Sequence, residues 1–229
     1  HSYTSDTHRF DLSADFASST YLWDQMQNYY GRTHIDGSKN STIIDYSQEA
    51  ADAVATILYD CGVSVNMDYG ESSGAFSNSV GHALTTFFSY DKALNLQNRQ
   101  WYSDEDWEEM LYQELAAGRP TYYSAASDEG GHAFVCDGYE DGYYHFNWGW
   151  SGMADGFYLI TGVDPMHPVL QDTKEHVSAS FNRQHKAIFG MQKESSGKVA
   201  PLQIGVDSNC SIEILSLDNN LVSQAEKDA

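Results

Sequence analysis

The chain has 229 residues, and 33 acidic against 12 basic residues give it a formal net charge of −21. A surface of this sign repels phosphate backbones and anionic membranes, so a nucleic-acid-binding function is disfavoured. No apolar run approaches the roughly 18 residues that a membrane-spanning helix requires. The length suits one large domain, or one of about 190 residues with a small appendage.

Cysteine and histidine usage gives no sign of a metal site or a disulfide framework. Cys61, Cys136 and Cys210 cannot all pair, and their wide spacing fits no zinc-ligand pattern. None of the nine histidines stands in the His-Glu-x-x-His arrangement that sets two imidazoles on one helical face. We therefore expect no metal and no cofactor. Because the chain opens on His1 without an initiator Met or a signal peptide, we expect a processed or truncated piece of a longer protein.

Three segments with apolar residues at spacings of three and four predict helices. The first begins at Ser47, a cap candidate, and is expected to stop at Gly62. The second spans residues 78–88. The third begins after Ser103 and ends before Gly118, with acidic residues in its first turn. Those carboxylates are favoured by the helix dipole alone, so we interpret them as a solvated helix start and not as a paired-carboxylate site.

A loop rich in glycine and serine, residues 68–74, follows the first helix. Such a loop is either a simple connector or a wall of a binding cleft, because glycine and serine let a backbone come close to an extended peptide. Further along, residues 162–183 carry two prolines and little periodicity, which predicts a long surface loop before a last strand at 186–191.

A predicted hairpin holds the most informative residues of the chain. One apolar run begins at His132, a second closes on Asn147 and Trp148, and Asp141-Gly142 between them is a strong hairpin signal. A lone histidine in a strand is more often a satisfied core or surface residue. Here the hairpin would bring the Asn147 side chain within hydrogen-bonding reach of the ring, an arrangement that orients a base for deprotonating a nucleophile.

The motifs around this histidine resemble those of a known family. Gly-Gly-His-Ala-Phe is followed by Asn-Trp-Gly-Trp-Ser-Gly and by Asp-Gly-Phe-Tyr, and Met-Asp-Tyr-Gly with Ser-Ser-Gly lies upstream. Together they resemble the streptopain family of secreted bacterial cysteine proteases. The resemblance implies that His132 is the catalytic base, that Asn147 orients its ring and that Trp148 shields the pair. It also implies that Gly131 and Ala75 hold the peptide backbone, with Ala75 where the family commonly has serine.

The resemblance also implies a fold. It predicts an α+β, papain-like cysteine peptidase fold with a helical part and an antiparallel sheet or barrel part, N-terminally incomplete, over residues 1–192. Residues 193–229 are interpreted as a linker and the start of a C-terminal β module. By resemblance, the protein would be a bacterial zymogen, secreted to the extracellular space, that acts on protein or peptide substrates.

One piece of the resembled active site has no counterpart in this chain. The family's nucleophilic cysteine lies at the head of a central helix, upstream of the segment with which the chain begins. Cys61 is expected to be a small buried thiol, and Cys136 a core residue about 13 Å along the strand from His132. The chain alone should therefore lack peptidase activity. An upstream segment or chain would supply the nucleophile and cover an apolar sheet face that includes Phe134.

Two other classes of protein stay open. One is an inactive family member retained for binding protein partners, and the upstream sequence would decide that case. The other is a carbohydrate-binding β domain in which Trp148, Trp150 and Tyr144 serve as stacking faces. The predicted helices count against this second class.

Overall fold

The computed structural model describes residues 1–128, 130–160, 163 and 181–194, and it contains both helices and antiparallel sheets. The predicted loop at 162–183 and the predicted β module at 193–229 fall almost wholly outside the described residues, so both stay predictions.

Two small ribbons and three helices form one part of the chain. The ribbons pair β1 (Ser2–Thr4) with β2 (Asp11–Ser13) and β3 (Gly31–Thr33) with β4 (Thr42–Ile44). The helices are α1 (Gln48–Ser64), α2 (Ser77–Phe87) and α3 (Asp104–Ala116). Short 3-10 helices lie at Trp23–Gln25, Ile35–Gly37 and Arg99–Trp101.

The other part is a sheet with six strands among the described residues, in the order β5-β10-β6-β7-β8-β9. The strands are β5 (Asn95–Asn98), β6 (Thr121–Ala126), β7 (Gly131–Glu140), β8 (Tyr143–Asn147), β9 (Gly156–Tyr158) and β10 (Arg183–Phe189). All neighbouring pairs are antiparallel.

The helix caps confirm the predicted starts. The Ser47 hydroxyl accepts the Ala50 N–H at 3.2 Å, and the Ser103 hydroxyl accepts the Asp106 N–H at 3.1 Å. The predicted stop at Gly62 is wrong, because α1 continues to Ser64. A Cβ on Gly62 would lie 1.8 Å from the Tyr69 hydroxyl oxygen, so the glycine lets the Tyr69 side chain pack against the helix and does not end it.

One face of the sheet packs against α3 and forms the core. Its buried aromatic and aliphatic side chains are Trp107, Leu111, Tyr123, Phe134, Phe146, Trp148, Tyr158 and Phe189. The expectation that Phe134 would lie on a bare face is wrong, since it is 4% exposed. The uncovered face is the opposite one, where Ala133 and Val135 are exposed.

The loop after β8 is held tightly against the segment that follows β3. The Ser151 carbonyl accepts the His34 N–H at 2.7 Å and the Thr33 hydroxyl at 3.0 Å. Gly152 next to it has φ +82°, and a Cβ there would lie 1.8 Å from the His34 carbonyl oxygen. Only glycine therefore fits this contact between the ribbon segment and the sheet.

We predict that Gly152→Ala destabilises the fold by more than the conformational strain alone, which is about 1 kcal/mol. Gly142→Ala is the matched control, because Gly142 also has a positive φ, +89°, but a Cβ added to it would have no atom within 4 Å. Urea unfolding should show a loss at least twice as large for Gly152→Ala. Equal losses would mean that the close approach to His34 contributes nothing to stability.

A buried hydrogen-bonded chain includes His185. The Trp107 indole N–H donates to the Tyr123 hydroxyl at 3.1 Å, and that hydroxyl is hydrogen-bonded to His185 Nδ1 at 2.7 Å. Burial, and secondarily the positive charge of Arg99, lowers the pKa of His185 to about 4.

This pKa predicts an acid-sensitive component of stability. Above pH 6.5 the ring is neutral in both the folded and the unfolded chain. Between pH 6.5 and 4 only the unfolded chain takes up the proton, so stability falls by about 3 kcal/mol. His185→Gln, whose amide can still hydrogen-bond to the Tyr123 hydroxyl but does not titrate, should lose that component. If the free energy of unfolding fell by the same amount in both proteins between pH 6.5 and 4, His185 would not be the source of the acid sensitivity.

Candidate active site

The antiparallel pairing of β6, β7 and β8 places His132. The residue lies at the start of β7, opposite Ala125 of β6, and its ring is partly buried. Because side chains alternate along a strand, His132 shares a face with Phe134 and Cys136. Its side chain thus lies at the rim of the buried face, where the strand emerges from a glycine-rich turn.

The ring of His132 is oriented by a backbone carbonyl. Its Nε2 lies 2.9 Å from the carbonyl oxygen of Trp148. Since a carbonyl oxygen only accepts, Nε2 carries the proton and Nδ1 of the neutral ring is the free acceptor. The sequence predicted that the Asn147 side-chain amide orients the His132 ring. In the structure the backbone carbonyl of Trp148 orients it instead.

The predicted hydrogen bond between His132 and the Asn147 side chain is wrong. Asn147 Oδ1 instead accepts the N–H of Gly149 at 2.9 Å. The physical reason is a β-bulge in β7. Gly138 pairs with His145 but Cys136 pairs with Phe146, so β7 has one extra residue there. The shift places Asn147 opposite Val135, on the sheet face away from the His132 ring.

A glycine inside the strand was the available sign of this bulge. A Cβ on Gly138 would lie 2.9 Å from the Cβ of His145, so the backbones approach closely there. An isolated glycine in a strand pattern indicates such a bulge or close approach. The turn at Asp141-Gly142, taken alone, predicts a regular pairing of β7 with β8. That pairing places Asn147 on the same face as His132, which is the wrong face.

Two further hydrogen bonds hold Trp148 in place. Its backbone N–H donates to Asp155 Oδ1 at 2.9 Å, and its indole N–H donates to the Tyr158 hydroxyl at 3.3 Å. The Tyr158 hydroxyl in turn donates to the Ala154 carbonyl. Burial raises the pKa of Asp155, while its bond to Trp148 opposes that rise. Asp155 is a functional candidate to which sequence reasoning assigned no role, although it belongs to the Asp-Gly-Phe-Tyr motif.

Aromatic rings surround the His132 imidazole. The Trp150 ring stacks on it with centroids 4.8 Å apart, and the Trp148 ring lies nearly parallel to it at 6.1 Å. These indoles limit water access to the bond between the ring and the Trp148 carbonyl. Trp148 and Tyr144 are 0% and 2% exposed, so neither offers a stacking face to a sugar. Their burial counts against the carbohydrate-binding alternative.

The predicted substrate-binding residues share one cleft with His132. A cavity of about 680 Å³ lies between the uncovered sheet face and α1, and Gly131 and Ala75 line it together with His132. The 68–74 loop forms part of its wall, which favours the cleft-wall interpretation of that loop over a simple connector. Much of the remaining lining is apolar, and it includes Leu58, Val65 and Phe76.

Neither described cysteine has the properties of an activated nucleophile. The expectation that Cys61 would be a buried thiol is wrong, because the residue is exposed and lines the cleft. Partial desolvation by the surrounding protein, and secondarily the charge of Asp60, still raises the pKa of its thiol. Cys136 is fully buried, and burial raises the pKa of its thiol. Activated cysteines need a lowered pKa, which a cationic neighbour or a helix N-terminus provides. Cys210 lies outside the described residues.

We predict that iodoacetamide labels Cys61 of the folded chain several-fold more slowly than free N-acetylcysteine at pH 8, because the raised pKa reduces the thiolate fraction. Cys136 should stay unlabelled until the chain is unfolded. Site-resolved mass spectrometry measures both rates, with the urea-unfolded chain as control. Labelling of Cys61 faster than the free thiol would identify it as an activated nucleophile.

The described part of the chain offers neither a metal site nor a membrane span. Among the described residues, no three His, Cys, Asp or Glu side chains are grouped so that they could hold a metal ion. The described helices include none long and apolar enough to cross a membrane.

The α+β fold is that of the papain-like cysteine peptidases, which confirms the predicted fold class. The chain belongs to the peptidase C10 family, whose family model matches residues 1–158. This result confirms the streptopain-like resemblance.

Two curated relatives match about half of the chain. It is 43% identical over 124 residues to the thiol protease/hemagglutinin PrtT of Porphyromonas gingivalis, a match covering 53% of this chain and 14% of the relative. It is 44% identical over 116 residues to streptopain of Streptococcus pyogenes, covering 49% of this chain and 29% of the relative. The matches therefore span less than a third of either relative.

Two solved structures are similar in fold. Active wild-type interpain A, a cysteine protease of Prevotella intermedia, superposes with a TM-score of 0.67 at 32% identity, over 81% of this chain and 70% of that one. A cysteine-to-alanine mutant of a prointerpain A fragment from the same organism gives a TM-score of 0.63 at 32% identity, over 83% and 54% of the two chains.

Proposed function

We propose that this chain is the histidine-bearing part of a secreted bacterial cysteine endopeptidase. The observation that carries the proposal is the 2.9 Å bond from His132 Nε2–H to the Trp148 carbonyl, which leaves Nδ1 as the base. Family membership and the likeness to interpain A support the reaction class. The protein's substrates would be proteins or peptides bound in the cleft.

The mechanism assigns a proton role to His132. Nδ1 takes the proton from a cysteine thiol, and the resulting thiolate attacks the peptide carbonyl carbon. The C–N bond then breaks as the imidazolium gives its proton to the leaving amine, which leaves a thioester. Water, deprotonated by the same ring, hydrolyses the thioester and releases the acid and the thiol.

Other residues bind and orient. The Trp148 carbonyl stabilises the imidazolium form, Asp155 positions Trp148, and the Trp150 indole keeps water from the ring. Gly131 and Ala75 contact the peptide through their main chains. A side chain in place of the Gly131 hydrogen would enter the space beside the substrate backbone. Asn147 supports the loop by accepting the Gly149 N–H and acts only indirectly on the ring.

The nucleophile is proposed to come from an upstream segment of chain that docks in the cleft. The raised pKa values of Cys61 and Cys136 argue against either as the nucleophile. The cleft also has an apolar surface suited to a helix: Leu58 is 64% exposed and Phe76 86%. An uncovered apolar patch of about 400 Å² would cost on the order of 10 kcal/mol, so covering it would stabilise the fold strongly.

Complementation tests the proposal. We expect the chain alone to leave a broad peptide library uncleaved under reducing conditions, and the chain with the upstream segment added in trans to cleave it. His132→Ala should abolish that cleavage, whereas His82→Ala, on the exposed face of α2, should leave it unchanged. The added segment should also raise the midpoint of thermal unfolding.

Several outcomes separate the alternatives. Cleavage by the lone chain that Cys61→Ala or Cys136→Ala abolishes would show that the nucleophile lies within the chain. A raised unfolding midpoint without cleavage would favour an inactive homologue that binds protein partners. A sharp unfolding transition that the added segment does not change would show that the cleft needs no covering.

A further inference from the structure

The charge lining the cleft differs from the charge of the chain. The chain carries 33 Asp and Glu residues against 12 Lys and Arg. Among the residues that the structure describes, no Asp or Glu lines the cleft, and its one lysine or arginine is Lys186. The described lining of the cleft is therefore positively charged through Lys186, although the chain as a whole is strongly acidic.

A second β-bulge aims Lys186 into the cleft. Arg183 pairs with Ala126 but Lys186 pairs with Ser124, so β10 advances three residues while β6 advances two. Gln184, within the bulge, has φ +53°. In a regular register Lys186 would lie opposite Tyr123, whose side chain is in the core. The extra residue moves the lysine to the opposite face.

The new register puts Lys186 in a row with residues beside the catalytic histidine. Lys186 pairs with Ser124, and Ser124 pairs with Ala133, the neighbour of His132. Paired residues of adjacent strands point to the same face. Two strand spacings amount to about 10 Å between the Lys186 and Ala133 Cα atoms, the span of about three residues of extended peptide.

The ammonium group of Lys186 has little to bind within the described protein. Its hydrogen bond to Asn78 Oδ1 is 3.5 Å long, and it forms no ion pair with any described residue. On the other side of β10, a cavity of about 600 Å³ also reaches Lys186. Asp104 is the one carboxylate among the described residues lining that cavity, and it is paired with Arg99 at 2.6 Å. An ammonium has three donors, so Lys186 can still bind an anion.

We propose that Lys186 determines substrate specificity: the cleft prefers peptides that place a carboxylate against this lysine, within a few residues of the scissile bond. The carboxylate is either an acidic side chain or the C-terminal carboxylate of the peptide. This inference rests on the proposed function, because it names the peptides that the same cleft binds. It does not depend on where the nucleophile lies.

Equilibrium binding of defined peptides tests the inference. Fluorescein-labelled, C-terminally amidated peptides carry one Glu at successive positions in an otherwise neutral sequence, and matched peptides carry Gln instead. A further Gln peptide has a free C-terminal carboxylate. Binding to the full chain is measured by fluorescence anisotropy in the His132→Ala background, so that no peptide is cleaved.

We expect Glu in one position, or the free carboxylate, to strengthen binding about tenfold over the amidated Gln peptide. Lys186→Gln should remove that difference, and Lys186→Glu should reverse it in favour of a Lys-containing peptide. Lys92→Gln, which removes an exposed lysine outside the cleft, is the matched control and should retain the preference. A gain confined to the free-carboxylate peptide would identify the C-terminal carboxylate as the group bound.

Equal binding of Glu and Gln peptides, a preference that survives Lys186→Gln, or no binding of any peptide would each overturn the inference. Its failure is distinguishable from failure of the proposed function. Cleavage of neutral and acidic peptides at equal rates by the complemented chain would leave the peptidase intact and remove the specificity. If binding showed a preference that depends on Lys186 but the complemented chain cleaved no peptide, the specificity would stand and the proposed peptidase function would fail.

Discussion

The position of Trp148 is the constraint on which the site depends. Its carbonyl orients His132, its N–H is held by Asp155, and its indole N–H is held by Tyr158. Each of these bonds lies in partly or fully buried surroundings, where an unmet polar group costs about 1–3 kcal/mol. A shift of Trp148 would break several of them together. The geometry of the His132 ring is therefore set by the loop between β8 and β9 and not by the Asn147 side chain.

Local features of the structure could be predicted from the sequence because their causes are local. Ser47 and Ser103 cap helices through hydrogen bonds to residues three positions ahead, and the Asp141-Gly142 turn has the positive φ angles, 47° and 89°, of the expected hairpin. The grouping of Gly131, Ala75 and His132 in one cleft is not local, and the family resemblance supplied it.

The face on which a side chain lies could not be predicted, because one extra residue in a strand reverses it. The bulge in β7 moves Asn147 away from His132, and the bulge in β10 moves Lys186 from the core face to the cleft face. In each case alternation from the strand end gives the wrong side. The sequence marks the first bulge only by Gly138, and it marks the second by no glycine or proline at all.

Under the proposed function, the described chain orients the His132 ring but does not supply an activated thiol. His132 is oriented by bonds that lie within the described chain, so the entropic cost of fixing its ring is met on folding. The thiolate partner has to come within about 3 Å of Nδ1 and has to be ionised. Both described cysteines have raised pKa values because desolvation disfavours their charged form. In the proposed enzyme, a thiol docked beside an imidazole that can accept its proton would gain the stabilisation that they lack.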